Sequence, residues 1–245
     1  MERIFGFSTG ALAFGDFARG IELQDRDGVS AIELSALRAH ELAGAIAALP
    51  LLENARFKYR SFHAPSDFGG MSDREIVDRL RLVAEKGYPI ILHPDAITDY
   101  QPWKELDELL LLENMDSRKR DFRTAREMLN CFKELPNARL CFDIGHARQI
   151  DPTMGVAIDL LARYRTRIAE VHLSEVDWTC HHVPISTSAA LAFQRVASRI
   201  PAEIPVIIES VVKPEAIDAE LVMAQRCLDP EDNLLSRPSV QTMAV

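Results

Sequence analysis

Residues 139–147 read RLCFDIGHA: an apolar run that closes on Asp143, turns through a glycine and sets His146 one helical step later. Leu140, Cys141 and Phe142 are too uniformly apolar for a strand with one wet face, so the run reads as a parallel strand buried on both sides. An apolar strand that ends in a metal-competent side chain suits the mouth of a parallel α/β barrel. There the C-terminal ends of all strands converge on one site.

The same pattern recurs in SFHAP (61–65), IILHPD (90–95), LLLLENMD (109–116), AEVHLSE (169–175) and PVIIES (205–210). The anchors His63, His93, Glu113, Asp143, His172 and Glu209 follow one another at steps of 30, 20, 30, 29 and 37 residues. With two earlier runs, eight strands are expected: Ile4–Ser8, Ala31–Ser35, Tyr59–His63, Ile90–His93, Leu109–Glu113, Arg139–Asp143, Ala169–Leu173 and Val206–Glu209. Stretches of helical period separate most of them: Arg38–Leu49, Ser72–Lys86, Phe122–Leu135, Gly155–Arg165 and Ser188–Ile200. In the second of these, Ser72 is placed to cap the helix, with Glu75 three residues on. Eight strand–helix units favour closure into a single-domain (β/α)8 TIM barrel over an open sheet. The short interval from His93 to Glu113 predicts a shortened fourth helix around Trp103–Glu108. The barrel is expected to span 1–228, with 229–245 as an aperiodic C-terminal tail.

A net charge of −9 repels polyanions and argues against nucleic acid as a bulk partner. The one concentrated basic cluster, RKRDFR (118–123), reads first as a solvated helix start; Arg38, Arg148 and Lys213 are further cations expected near the mouth. Cys131, Cys141, Cys180 and Cys227 show no paired spacing, which predicts reduced thiols and a cytoplasmic location. MERIFGFSTG lacks the features of a signal peptide, and no apolar run reaches the length of a membrane span.

Imidazole and carboxylate hold zinc, manganese or iron(II). Glu113, Asp143, His172 and Glu209 could make one three-carboxylate, one-histidine site, because carboxylates are rarely buried unless paired or metal-bound. His63, His93, His146 and His182 supply ligands for a second and a third ion. The cofactor expected is a divalent metal ion, manganese or zinc first, with cobalt, iron or magnesium as alternatives. Of the adjacent His181 and His182, one is expected to point into the mouth. His40 is expected at the surface, and Cys141 in the barrel interior. Phe14, Phe68, Trp103 and Trp178 are candidate substrate-facing loop residues.

The motifs LENMD (112–116), DIGHA (143–147), VHLSE (171–175), HHVPIS (181–186) and IIES (207–210), in this order, resemble the xylose-isomerase-like TIM barrels. That superfamily includes sugar phosphate isomerases and epimerases and the endonuclease-IV-like AP endonucleases. The resemblance to the first branch implies metal binding by Glu113, Asp143, His172 and Glu209. Glu113 and Glu209 would exchange protons beside a carbonyl, and His146 would orient substrate oxygens. Resemblance to the second implies three zinc ions. His63 and His93 would hold the first and share Glu113 with the second; Asp143, His172 and Glu209 would complete the second, and His146 with His182 the third. Cys180 stands where that branch has an aspartate two residues before the last histidine. The leading expectation is an isomerase or epimerase of a small sugar or sugar phosphate. The alternatives are a zinc phosphodiesterase and a non-catalytic metal-binding barrel. A homo-oligomer is compatible with the sequence.

Overall fold

Every one of the eight expected apolar runs forms a strand, and the eight close on themselves. The computed structural model describes residues 3–53, 55–229 and 231. The strands are β1 (Phe5–Ser8), β2 (Val29–Ser35), β3 (Tyr59–His63), β4 (Ile90–Leu92), β5 (Leu110–Glu113), β6 (Arg139–Asp143), β7 (Ile168–Leu173), a small antiparallel hairpin of β8 (Glu175–Val176) and β9 (His182–Val183), and β10 (Val206–Ile208). The barrel runs β1-β10-β7-β6-β5-β4-β3-β2, with its pairs parallel. Around it lie α1 (Thr9–Ala13), α2 (Phe17–Glu22), α3 (Leu42–Ala47), α4 (Leu49–Glu53), α5 (Asp73–Ala84), α6 (Tyr100–Trp103), α7 (Leu129–Glu134), α8 (Ile144–Ile150), α9 (Gly155–Arg163), α10 (Thr187–Ala197) and α11 (Ile217–Leu228).

Strand alternation sorts the apolar side chains into two layers. Ile90, Leu92, Leu110, Leu112, Leu140 and Phe142 face outward into the main core, under the helices. Ile91, Leu111, Cys141 and Ala169 form a separate cluster inside the barrel, where Cys141 was expected. Each fully buried aliphatic residue contributes about 1.5–3 kcal/mol, so the outer layer dominates stability and leaves the mouth free for chemistry. Strand β1 approaches β2 so closely that a Cβ on Gly6 would lie 1.9 Å from the Ala31 carbonyl oxygen; only glycine fits there.

Ser72 caps α5, and the reciprocal contact from Glu75 completes the capping box. The next residue, Asp73, is 3% exposed. It accepts hydrogen bonds from Thr98 N, Thr98 Oγ1, Asp99 N and Trp103 Nε1, tying the shortened fourth helix back to α5. The fourth helix is indeed short: α6 is followed by a 3₁₀ segment, Lys104–Leu109, broken at Asp107 (φ 51°).

Two helices differ from expectation. The stretch Arg38–Leu49 breaks into a 3₁₀ turn (Ala39–Glu41), α3 and α4, with Pro50 in the first turn of α4, where its missing N–H is harmless. Phe122–Leu135 is helical only over Leu129–Glu134. Its first half is a loop closed by Met115 N donating to Phe122 O, with Phe122 left-handed at φ 67°. The RKRDFR cluster is therefore not a helix start. Trp103 (0% exposed) and Phe68 (8%) stack in the core with centroids 5.8 Å apart, so neither is a substrate-facing loop residue. Of the expected tail 229–245, all but Asp229 and Glu231 lies outside the described residues. Among the described residues no helix is long and apolar enough to cross a membrane.

Candidate metal centre

The strand ends bring the expected residues together at one mouth. The ligand atoms of Glu113, Asp143, His172 and Glu209 lie within 4.8 Å of one another; so do those of His63, His93 and Glu113, and those of Asp143, His146 and His182. Glu113 sits at the centre and is 1% exposed. Its Oε2 is 3.2 Å from both His63 Nε2 and His93 Nε2. Its Oε1 is 3.3 Å from His146 Nδ1 and 3.5 Å from His172 Nδ1. The two oxygens of one carboxylate thus face two different histidine groups.

Local hydrogen bonds decide which nitrogen each histidine presents. His63 Nδ1 pairs with the Ala64 carbonyl at 2.8 Å, which leaves Nε2 for Glu113. His146 Nδ1 pairs with the Asn114 carbonyl at 2.9 Å, and His182 Nδ1 with Ser174 Oγ at 2.7 Å. His146 Nε2 is left without a hydrogen-bond partner among the described residues. Asp143 caps α8 by accepting from His146 N through Oδ1 at 2.6 Å, keeping Oδ2 aside. Asn114 staples the two strand ends: Asp143 N donates to its Oδ1 at 2.9 Å, and its Nδ2 donates to Asp143 O at 2.8 Å.

The cluster is electrostatically tense. Burial alone would raise Glu113, but His172 and His93 outweigh it and hold the carboxyl well below its usual range. Burial would likewise raise Glu209, yet His172 and His182 bring it down to about 2. Asp143 goes the other way, pushed well above the carboxylate range by burial and by the charges of Glu113 and Glu209. Burial would lower His63, but the hydrogen bond to Glu113 and the charge of Glu33 raise it to about 9. Asp143 Oδ2, His146 Nε2 and His172 Nδ1 are buried without a hydrogen-bond partner among the described residues. Unpartnered imidazole and carboxylate atoms that converge are the donor set a divalent ion takes, so these residues fit a metal centre.

A cavity of about 590 Å³ opens onto the cluster, lined by His63, His93, Glu113, His146, His182 and Glu209, with Phe14, Arg38 and Arg118 among its walls. Arg118 is held by the buried Asp116, which accepts from its Nε and Nη2. Lys119 pairs with Asp95 at 2.6 Å. His40 is exposed, as expected. His181 and His182 both line the cavity, but His182 alone of the pair joins the candidate metal groups. Cys180, left-handed at φ 63°, is absent from those groups; its Sγ accepts from Gln149 Nε2 at 2.9 Å. The sequence reading passes over Asn114, Asp116 and Glu170. Glu170 carried a signal, since it alternates with His172 on one strand and so shares its face.

No protein-family model matches the sequence, and no curated protein matches it. Solved structures do. Endonuclease IV from Thermus thermophilus is 19% identical, with a TM-score of 0.59 over 92% of this chain and 98% of its own. A 3-keto-D-glucoside 4-epimerase from E. coli, in its apo form, is 14% identical with a TM-score of 0.56, covering 92% and 99%. A protein assigned as a sugar phosphate isomerase/epimerase from Anabaena variabilis is 11% identical with a TM-score of 0.56, covering 91% and 88%. At these identities the likeness is one of fold: the chain has the closed eight-stranded parallel barrel of a (β/α)8 TIM barrel.

Proposed function

We propose that this chain is a divalent-metal-dependent hydrolase of a small phosphoester, with Glu113 as the carboxylate shared between two ions. The observation that carries the reading is the orientation of Glu113. One oxygen faces His63 and His93 and the other faces His172, within a group completed by Asp143 and Glu209. A carboxylate so enclosed, at 1% exposure, is poorly placed to take a proton from substrate. It is well placed to bridge.

His63, His93 and Glu113 would hold one ion, and Glu113, Asp143, His172 and Glu209 the other; the first set suits zinc, and the oxygen-rich second suits manganese as well. Bound ions supply Lewis-acid polarisation of the phosphoryl oxygens. Glu209, whose side chain is 13% exposed and lines the cavity, would accept the proton of a water that attacks phosphorus and return it to the alkoxide released as the ester P–O bond breaks. Arg38 and Arg118 in the cavity walls would orient the anionic oxygens, Arg118 with its Nε and Nη2 already held by Asp116 and Arg38 with its Nη1 held by Glu41. A cavity of about 590 Å³ suits a small molecule, and the net charge of −9 disfavours a polyanion. The four cysteines are buried and none forms a disulfide among the described residues, which supports a reducing, cytoplasmic setting. The barrel domain is taken as residues 1–228.

A second reading, isomerase or epimerase of a small sugar, is favoured by the complete four-residue set and by Glu209 opening into the cavity. The protein reconstituted with manganese or zinc separates the two. The expected result is metal-dependent release of nitrophenolate from bis(4-nitrophenyl) phosphate, without deuterium uptake into aldoses or ketoses incubated in D2O. Deuterium uptake with no phosphoester cleavage overturns the hydrolase reading in favour of proton transfer.

A further inference from the structure

Two carboxylates lie deeper in the barrel than any of the eight expected ligands. Glu33 on β2 and Glu170 on β7 are both 0% exposed. A register shift in the β6–β7 pairing sets Glu170 opposite Cys141 and His172 opposite Asp143, so Glu170 and His172 both turn inward. Glu170 Oε1 stands 2.9 Å from His172 Nε2, and Glu33 Oε2 stands 3.1 Å from the same nitrogen. Tyr59 donates its hydroxyl to Glu170 Oε2 at 2.6 Å, which fixes the carboxylate from below. The far edge of the imidazole, Nδ1, is 3.3 Å from Glu209 and 3.5 Å from Glu113 and has no hydrogen-bond partner.

We propose that Glu170, held by Tyr59 and assisted by Glu33, is a positioning residue that fixes the His172 ring with Nδ1 facing the centre. The role rests on the metal reading given above. An imidazole offers two nitrogens, and the bond made by one decides which is left to ligate. Nε2 between two buried carboxylates cannot turn toward the mouth. Packing does not account for these residues. At the same depth the barrel uses Ile91, Leu111 and Cys141, which fill space without the desolvation cost of two carboxylates. The arrangement also gives each arm a rank. Glu170 makes the shorter contact and alone receives the Tyr59 hydroxyl, so it leads; Glu33 and Tyr59 support.

The test is metal affinity of full-length E170L, E170Q and Y59F, measured by competition with a chromophoric chelator using zinc and manganese, alongside the melting temperature of each metal-free protein. Outer-shell losses of this kind cost about 10–100-fold in affinity. E170L is expected to fall in that range, E170Q to lose less and Y59F less again. Metal-free E170L is expected to melt below wild type, because it leaves the buried Tyr59 hydroxyl and one side of His172 Nε2 without an acceptor, whereas metal-free E170Q keeps an acceptor oxygen and is expected to melt near wild type. Affinity lost in E170Q at an unchanged metal-free melting temperature is a result that a merely structural role would not produce. Wild-type protein that binds metal together with E170L of equal affinity overturns the positioning role and leaves the metal reading intact. Wild-type protein that binds neither metal overturns the metal reading, and this role with it.

Discussion

Two arcs of the barrel interior, at one depth beneath the same mouth, are built from opposite materials. Under His93, Glu113 and Asp143, strands β4 to β6 set Ile91, Leu111 and Cys141, an apolar floor. Strands β2, β3 and β7 set Glu33, Tyr59, Ser61 and Glu170 instead, a polar floor that reaches up to His172. The contrast separates two ways of preparing a ligand. On the apolar arc the strand-end groups are stripped of partners from below, and Asp143 Oδ2 is left buried and unpaired. On the polar arc the ligand is steered by a hydrogen bond to its far edge. The first raises the appetite for a cation, and the second sets direction.

The largest effect expected is from E113Q, which removes the one group that both arcs share. Metal content measured by elemental analysis should fall, and nitrophenolate release should drop by more than about 100-fold, beyond the range of outer-shell losses. Retained metal and rate would mean that the arcs do not meet at Glu113. Next, L111A removes part of the apolar floor. It should cost about 2–5 kcal/mol in chemical denaturation through the cavity it leaves, with metal affinity within about twofold of wild type. A matching loss of affinity would erase the distinction between the arcs.

Acidity probes the polar arc in metal-free protein. His63 keeps its proton to about pH 9 when folded, against an unperturbed value of 6.5, so the folded state holds the extra proton between those values. Its contribution, at most about 3 kcal/mol, is complete below pH 6.5 and lost as pH rises through 9. Metal-free melting temperature should therefore fall over that window, and a bound ion should abolish the fall because it takes the place of the proton. A flat metal-free profile would show that His63 gains nothing from Glu113. The smallest effect is from I91V, about 0.5–1.5 kcal/mol, with no change in metal content.

The strands were legible because burial on both faces leaves continuous apolar runs, and because each run ends on a polar residue that burial alone would not tolerate. Ser72 and Glu75 were legible as a cap for the same local reason. The loop from Asn114 to Met128 was not. Its apolar spacing imitates a helix, and what prevents one is a set of contacts local to the fold: Met115 to Phe122 on the backbone, and Arg118 onto Asp116. Trp103 and Phe68 looked available for substrate because aromatic residues in loops often are. Only the packing around the Asp73 hydrogen bonds sends the Trp103 ring inward. Glu170 was hidden by its neighbour, since His172 already explained why a polar group should close that strand.

The four hydrogen bonds gathered by Asp73 bear on traffic through the mouth. They weld the segment after β4, the wall beside His93, to the start of α5. That side of the cavity is a fixed jamb. On the ring of strands β10 stands opposite β4, and the connections leaving its neighbours β1 and β7 carry Phe14 (68% exposed) and, within the β8–β9 hairpin, Trp178 (90% exposed). The braced wall and the exposed aromatic side chains thus stand on opposite sides of the same ring.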